Sequence, residues 1–469
     1  MCHLRITVRW FLITLLLVSC ASARTSSLSA GFEIRIHPDG PLYVGDQVSF
    51  EVLTPDGFKP EGHEVQVRLG DKELGRAGFS PFGVGGRVQA TLWWVWDTTH
   101  LQPGPETLTF TILPDGPSWQ ETVTLHPQSG VPPPEPEAHW AAAISDCCIL
   151  NYITGSAAER DMAVLAQIAD EQAASLASQL PAKVNEKIPV VFMPRVLGNG
   201  GFVTDAIYVS YLPSRCCADN DYLGGASAQV LQHEFAHWFD AQSGGDLRPS
   251  IFQEGLAVYL SGGHFKPEPL IPRAAALLEL NWYVPLQTLA DDFYPQQHEI
   301  GYLEAAALVG YMVETYGWES FNAFYRDIHA TPDGRASQAI DAALQKHFQI
   351  TFAGLEEKYL EFLKAQPVTE SMRDDLRLSV QFYDTARRYQ QALDPSAHFM
   401  TAWLPDYKIM SQRGIVADFL RHPSGMNNHL IEALLLNAAH DLRAGKYDRA
   451  EITLQVVNSL LKMLVKLQH

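Results

Sequence analysis

The seven residues Val131-Pro132-Pro133-Pro134-Glu135-Pro136-Glu137 include four prolines, a run that can hold neither helix nor strand ladder. It predicts a stiff, extended linker and a domain boundary. The patterns on its two sides differ. Before it, apolar and polar residues alternate in Phe32-Glu33-Ile34-Arg35-Ile36, Val65-Gln66-Val67-Arg68-Leu69 and Thr107-Leu108-Thr109-Phe110-Thr111. Turn signals separate these stretches at Pro38-Asp39-Gly40, Pro55-Asp56-Gly57 and Pro114-Asp115-Gly116, which predicts a small antiparallel sandwich over residues 32–126. After it come two strand candidates, Ile188–Met193 and Ala206–Tyr211, and a long series of helical patterns.

The sandwich pattern resembles an immunoglobulin-like module. With 469 residues, of which 46% are hydrophobic, the chain has material for about three domains. The expectation is a multidomain protein: an all-β sandwich at 32–126, a linker at 127–139, an α+β domain at 140–366, and an all-α region at 367–469. Helices are predicted at Ser156–Leu180, Ser227–Ala241, Ile251–Leu260, Tyr302–Tyr316, Ala336–His347, Phe352–Leu363, Ala433–Leu442 and Tyr447–Leu467. The last two leave room for a tetratricopeptide-like pair.

A net charge of −19 opposes any sequence-independent grip on phosphate, so nucleic acid is not an expected partner. Arg5 and Arg9 precede the apolar run Trp10–Val18, too short for a bilayer span but suited to a secretory signal. Leu17-Val18-Ser19-Cys20 resembles the bacterial lipobox, which implies a signal peptide at 1–19, lipidation of Cys20 and a tether at 20–31. The alternative is an ordinary signal cut near Ala21 or Ala23. The expected location is the extracytoplasmic face of a bacterial membrane, held by acyl chains. Four further cysteines form two vicinal pairs, Cys147-Cys148 and Cys216-Cys217. In an exported chain they predict disulfides joining the two pairs, in preference to a thiolate metal site, because adjacent cysteines lack the usual spacer.

The chemistry is carried by His233-Glu234-Phe235-Ala236-His237. Residues four apart share one face of a helix, so His233 and His237 can bind one ion while Glu234 stands beside them as a base. Ser227 can cap this helix and Ser243-Gly244-Gly245 can end it, with Val230, Leu231, Phe235 and Trp238 facing the core. A second helix, begun by a Ser250/Gln253 capping box, carries Glu254 in Glu254-Gly255-Leu256-Ala257-Val258-Tyr259. A hairpin through Ser243–Pro249 would return Glu254 to the imidazoles. Two nitrogens and one carboxylate oxygen, with water in fourth position, make a catalytic zinc site with one Zn2+ per chain.

The two motifs together resemble the gluzincin metallopeptidases, the peptidase MA-like family related to thermolysin and the zinc aminopeptidases, over residues 145–366. The resemblance implies an upper lobe of mixed sheet, a lower helical lobe, and a peptide or protein substrate lying along an edge strand, here Ala206–Tyr211. It also implies a tyrosine steadying the oxyanion, for which Tyr302 in Ile300-Gly301-Tyr302-Leu303-Glu304 is the candidate and Tyr311 the runner-up. The aminopeptidase G-x-M-E-N signature is missing, since Gly198–Phe202 lacks its glutamate, which favours an endopeptidase. Asp240 reads as a solvated helix residue or as an acceptor for an imidazole N–H. His264, His298 and His329 have no ligand spacing and read as surface or packing residues. The competing reading is an inactive peptidase-fold scaffold or adhesion protein, against which the intact Glu234 argues.

Overall fold

Alternating apolar residues draw the first part of the chain into strands whose inner faces exclude water. The computed structural model describes residues 31–82, 86–180, 186–194, 201–211, 227–264, 266–332, 334–393, 407–421 and 425–468. The signal segment, Cys20, Gly198–Gly200 and Cys216-Cys217 lie outside the described residues. Strands β1 (Glu33–His37), β2 (Leu42–Tyr43), β3 (Gln47–Leu53), β4 (Glu64–Leu69), β5 (Lys72–Phe82), β6 (Arg87–Asp97), β7 (Gly104–Leu113) and β8 (Ser118–His126) pair in the order β1-β3-β6-β5-β4-β7-β8-β2. All these pairings are antiparallel except β2 with β8. Strand β5 is shared: Phe79–Phe82 pairs with β6, and its earlier residues pair with β4. The sheet doubles over there, so Phe50, Val52 and Leu92 from one half meet Val67, Phe110 and Val123 from the other in one core. On the opposite face of β3, Glu51 is buried as a paired charge, bonded to His37 Nε2 at 2.9 Å, Arg87 at 3.0 Å and Gln89 at 2.6 Å.

The proline run is not simply extended, as the sequence predicts. Glu135–Glu137 forms a 3-10 turn, with Glu137 N–H donating to Pro134 O and Ala138 N–H to Glu135 O, because the fixed proline φ suits that turn as well as an extended chain. A second sheet follows: β9 (Trp140–Ile144), β10 (Cys148–Ile153), β11 (Ile188–Met193), β12 (Gly201–Val203) and β13 (Ile207–Ser210), in the order β12-β13-β11-β10-β9. The inner pairings β10–β11 and β11–β13 are parallel, and the outer two are antiparallel. Helices α1 (Ala157–Arg160) and α2 (Met162–Ala177) make the crossover from β10 to β11. The near-continuous apolar run of β11 serves two cores. Val190 and Phe192 face the α2 side chains Leu165 and Ala169, whereas Val191 and Met193 face the opposite side.

Two expectations are corrected here. The strand at Ala206–Tyr211 is β13 and is interior, flanked by β11 and β12; the edge is the three-residue β12. The expected link between cysteine pairs is not made by the first pair, because Cys147 and Cys148 are bonded to each other. They sit where β9 turns into β10, and Asp170 of α2 fixes that turn by accepting from Cys147 N at 2.7 Å and Ser145 Oγ at 2.8 Å.

The remaining helices are α3 (Ser227–Gln242), α4 (Ser250–Ser261), α5 (Leu270–Glu279), α6 (Leu286–Asp291), α7 (His298–Tyr316), α8 (Trp318–Arg326), α9 (Ala336–Phe348), α10 (Phe352–Lys364), α11 (Glu370–Leu393), α12 (Tyr407–Arg413), α13 (Ala417–Leu420), α14 (Met426–Arg443) and α15 (Tyr447–Gln468). Helix α7 is apolar on nearly every face and forms the centre of the helical core. Helix α4 packs close against it because Gly255 has no side chain: a Cβ there would stand 2.6 Å from Ala305 O. Helix α11 serves two clusters, sending Leu376 and Val380 into the main core and Phe382 and Tyr389 toward α14 and α15. Helices α12 and α13 then wedge Met410, Val416 and Phe419 between Trp94 of β6 and the outer face of the second sheet. That wedge is pinned by Trp94 Nε1 donating to Asp418 at 2.6 Å and by Arg421 bonding Asp46 at 2.8 Å and Glu135 at 2.7 Å.

Candidate metal centre

Burial of one face of α3 decides where its polar residues point. Leu231, Phe235 and Phe239 are buried in the main core, and the intervening turn leaves His233 and His237 facing α4. Pro249 precedes α4, with the Phe252 and Gln253 amides donating to its carbonyl at 2.9 Å. The expected Ser250/Gln253 capping box is therefore not formed. The connection between α3 and α4 is fixed by Leu247 N–H on Ile328 O at 3.0 Å and by Arg326 on Gly244 O at 2.9 Å. It returns Glu254 to the two imidazoles.

His233 Nε2 lies 3.0 Å from His237 Nε2, and Glu254 Oε2 lies 3.5 Å from the first and 3.1 Å from the second. The three atoms form a nearly equilateral triangle. Ligands about 2.0–2.2 Å from a tetrahedral zinc are separated by about 3.3–3.6 Å, so the triangle has the dimensions of one face of such a site. The donor chemistry fits as well. A single proton between two facing ring nitrogens satisfies only one contact, whereas one cation satisfies both nitrogens and the carboxylate together.

Glu234 is buried beside this triangle, and its Oε2 has no hydrogen-bond partner among the described residues. Burial is the main cause that pushes its carboxyl up to about 8; His237 opposes the rise and Glu254 adds to it. Burial would also raise Glu254, but His237 and His233 hold that carboxylate well below its ordinary range. Burial pushes His233 down to about 4, while the Glu254 charge overcomes burial at His237 and lifts it to about 9. Edge strand β12 covers Glu234 from above: a Cβ on Gly201 would stand 2.8 Å from both Cγ and Oε1 of Glu234.

Tyr302 is brought to the site, with its ring centroid 6.3 Å from that of His233. His264 stacks on Tyr302 at 4.5 Å, and His298 lies against the same ring at 4.5 Å. Burial, with the Glu254 charge second, keeps the Tyr302 phenol well above its ordinary range, so it remains a hydrogen-bond donor. His264 is held by Glu299 Oε2 at 2.8 Å, and Tyr383 of α11 closes the group from the C-terminal region. His264 and His298 thus pack beside the centre, whereas His329 is exposed next to Asp246 and Asp327. Tyr311 does not reach the site; it is buried against Tyr359 and Phe362. Asp240 is neither solvated nor joined to an imidazole by a hydrogen bond. Tyr325 donates to it at 3.1 Å and Arg326 pairs with it at 2.7 Å, tying the end of α3 to α8.

Sequence reasoning missed Tyr294, whose hydroxyl donates to Glu254 Oε1 at 2.9 Å from the loop between α6 and α7. No spacing in Asp291-Asp292-Phe293-Tyr294-Pro295 announces that contact. Gly201 and His264 are likewise placed by tertiary packing: by sequence the first falls within the Gly198–Phe202 segment and the second reads as a surface or packing residue, and neither pattern foretells the contacts with Glu234 and Tyr302. Comparison of the sequence with known protein families and with functionally characterised proteins gives no match.

Proposed function

We propose that this chain is a zinc metallopeptidase of the gluzincin type that hydrolyses internal peptide bonds. The observation that carries the reading is the triangle of His233, His237 and Glu254 donor atoms with the buried Glu234 carboxylate beside it. Zinc in that triangle would polarise the scissile carbonyl and lower the pKa of its water to about 7. With a divalent cation in the triangle to oppose the burial that holds its carboxyl up, ionised Glu234 would take a proton from the attacking water and deliver it to the leaving amine as the C–N bond breaks. Tyr302 donates its hydroxyl to the oxygen that gains charge at the tetrahedral carbon. An extended substrate can add to the outer edge of β12, where main-chain bonding accepts many sequences. A carboxylate holding a free amino terminus has no counterpart in the motif at Gly198–Phe202, which favours cleavage within chains.

The same reading treats the N-terminal sheet as an immunoglobulin-like module. It places the protein outside the cytoplasm of a bacterium, anchored through lipidated Cys20. No described helix is long and apolar enough to cross a membrane. The test is metal analysis of residues 21–469 together with peptide-library cleavage by wild type and Glu234→Gln. The variant should keep about one zinc per chain and lose roughly 100-fold to 10,000-fold in activity, as expected for removal of a general base. Equal cleavage by both proteins would return the inactive-scaffold reading.

A further inference from the structure

Glu254 presents its two oxygens to different partners. Oε2 faces both imidazole nitrogens, whereas Oε1 accepts from the Tyr294 hydroxyl at 2.9 Å. Ser250 stands one turn before Glu254 on α4, near the same phenol. The polarity of the contact between Tyr294 and Glu254 is fixed: ionised Glu254 can only accept, so Tyr294 donates to it.

We propose that Tyr294 is a positioning residue for the metal ligand Glu254: its hydroxyl occupies Oε1 and leaves Oε2 as the single carboxylate donor to zinc. The inference rests on the metallopeptidase reading above. Held at Oε1, the carboxylate cannot rotate to offer both oxygens, so the protein supplies three donors and one position stays open. Tyr294 is 65% exposed, so its packing contributes little to the fold, and its hydroxyl contact with Glu254 carries the effect.

Removing such an outer partner typically weakens metal affinity by about 10-fold to 100-fold. The test is competition for zinc between a chromophoric chelator and the full mature protein, as wild type, Tyr294→Phe and Tyr302→Phe. Thermal unfolding of each serves as the fold control. Tyr294→Phe should lose about 10-fold to 100-fold in zinc affinity, and Tyr302→Phe should match wild type. With cobalt in place of zinc, the visible absorption of Tyr294→Phe should weaken as a second carboxylate oxygen raises the coordination number. Unchanged zinc affinity and an unchanged cobalt spectrum in Tyr294→Phe would overturn the inference while leaving the peptidase reading intact. Wild-type protein that binds no zinc would overturn both.

Discussion

The backbone of Gly201 stands so close to Glu234 that a single added carbon would lie 2.8 Å from the carboxylate oxygen and 2.6 Å from Tyr208 O. On the metallopeptidase reading, the edge strand therefore sets the position of Glu234 over the His233, His237 and Glu254 donors. Gly201→Ala must displace either β12 or Glu234, and neither can give way without moving the reacting groups. A misplacement of about 1 Å costs roughly 100-fold in rate, so turnover should fall by about that factor with zinc content unchanged. Normal turnover by Gly201→Ala would mean that the strand yields freely and does not position Glu234.

Tyr302 and Tyr311 lie on one helix, but only the first reaches the imidazoles. Tyr302→Phe should lower kcat by about 100-fold, the lower end of the effect of removing one oxyanion donor. KM should change little, because the lost bond strengthens only as the carbonyl carbon becomes tetrahedral. Tyr311→Phe should keep wild-type kinetics. Steady-state assays on one library peptide separate the two, and a crippled Tyr311→Phe beside an active Tyr302→Phe would reverse the assignment.

The site was legible where helix geometry alone fixes it. His233, Glu234 and His237 need only the period of α3, and Glu254 needs only a short return loop, so spacing brings these four together. Tyr294 and Gly201 arrive through the packing of distant elements, which no local pattern encodes. Strand β11 was legible to the residue because a continuous apolar run marks a strand buried on both faces. The edge was misplaced by one strand because Gly201-Phe202-Val203 is too short to show alternation. The wedge of α12 and α13 went unread for a similar reason: its apolar residues sit in two short helices whose partners lie more than 200 positions away.

Metal removal should be visible in stability as well as in activity. A ligand that binds only the folded state at 100 times its Kd stabilises that state by about 2.7 kcal/mol, which is several degrees in Tm for a domain of this size. A chelator should therefore lower the Tm of the wild type. His233→Ala and Glu254→Ala each leave only two of the three donors, so they should hold little zinc and show no further shift with chelator. If Glu254→Ala responded to the chelator as wild type does, another group would be the third ligand.

Acid should loosen the N-terminal sheet through Glu51. Burial alone would raise its carboxyl, but the His37 hydrogen bond, the His37 charge and then the Arg87 charge outweigh burial and hold it at about 2, against an ordinary value of 4.5. The folded pKa is depressed, so the folded state binds the proton less readily than the unfolded chain. The stabilisation is complete above pH 4.5 and is lost as pH falls toward 2. A shift of this size corresponds to about 3 kcal/mol at neutral pH. Hydrogen exchange of β3 and β6, followed by mass spectrometry, reads this region apart from the helical core. Opening of these strands should become easier from pH 4.5 to 2, and the difference between wild type and Glu51→Gln should shrink over the same interval. A constant difference between the two proteins across that interval would show that Glu51 is not the group that titrates.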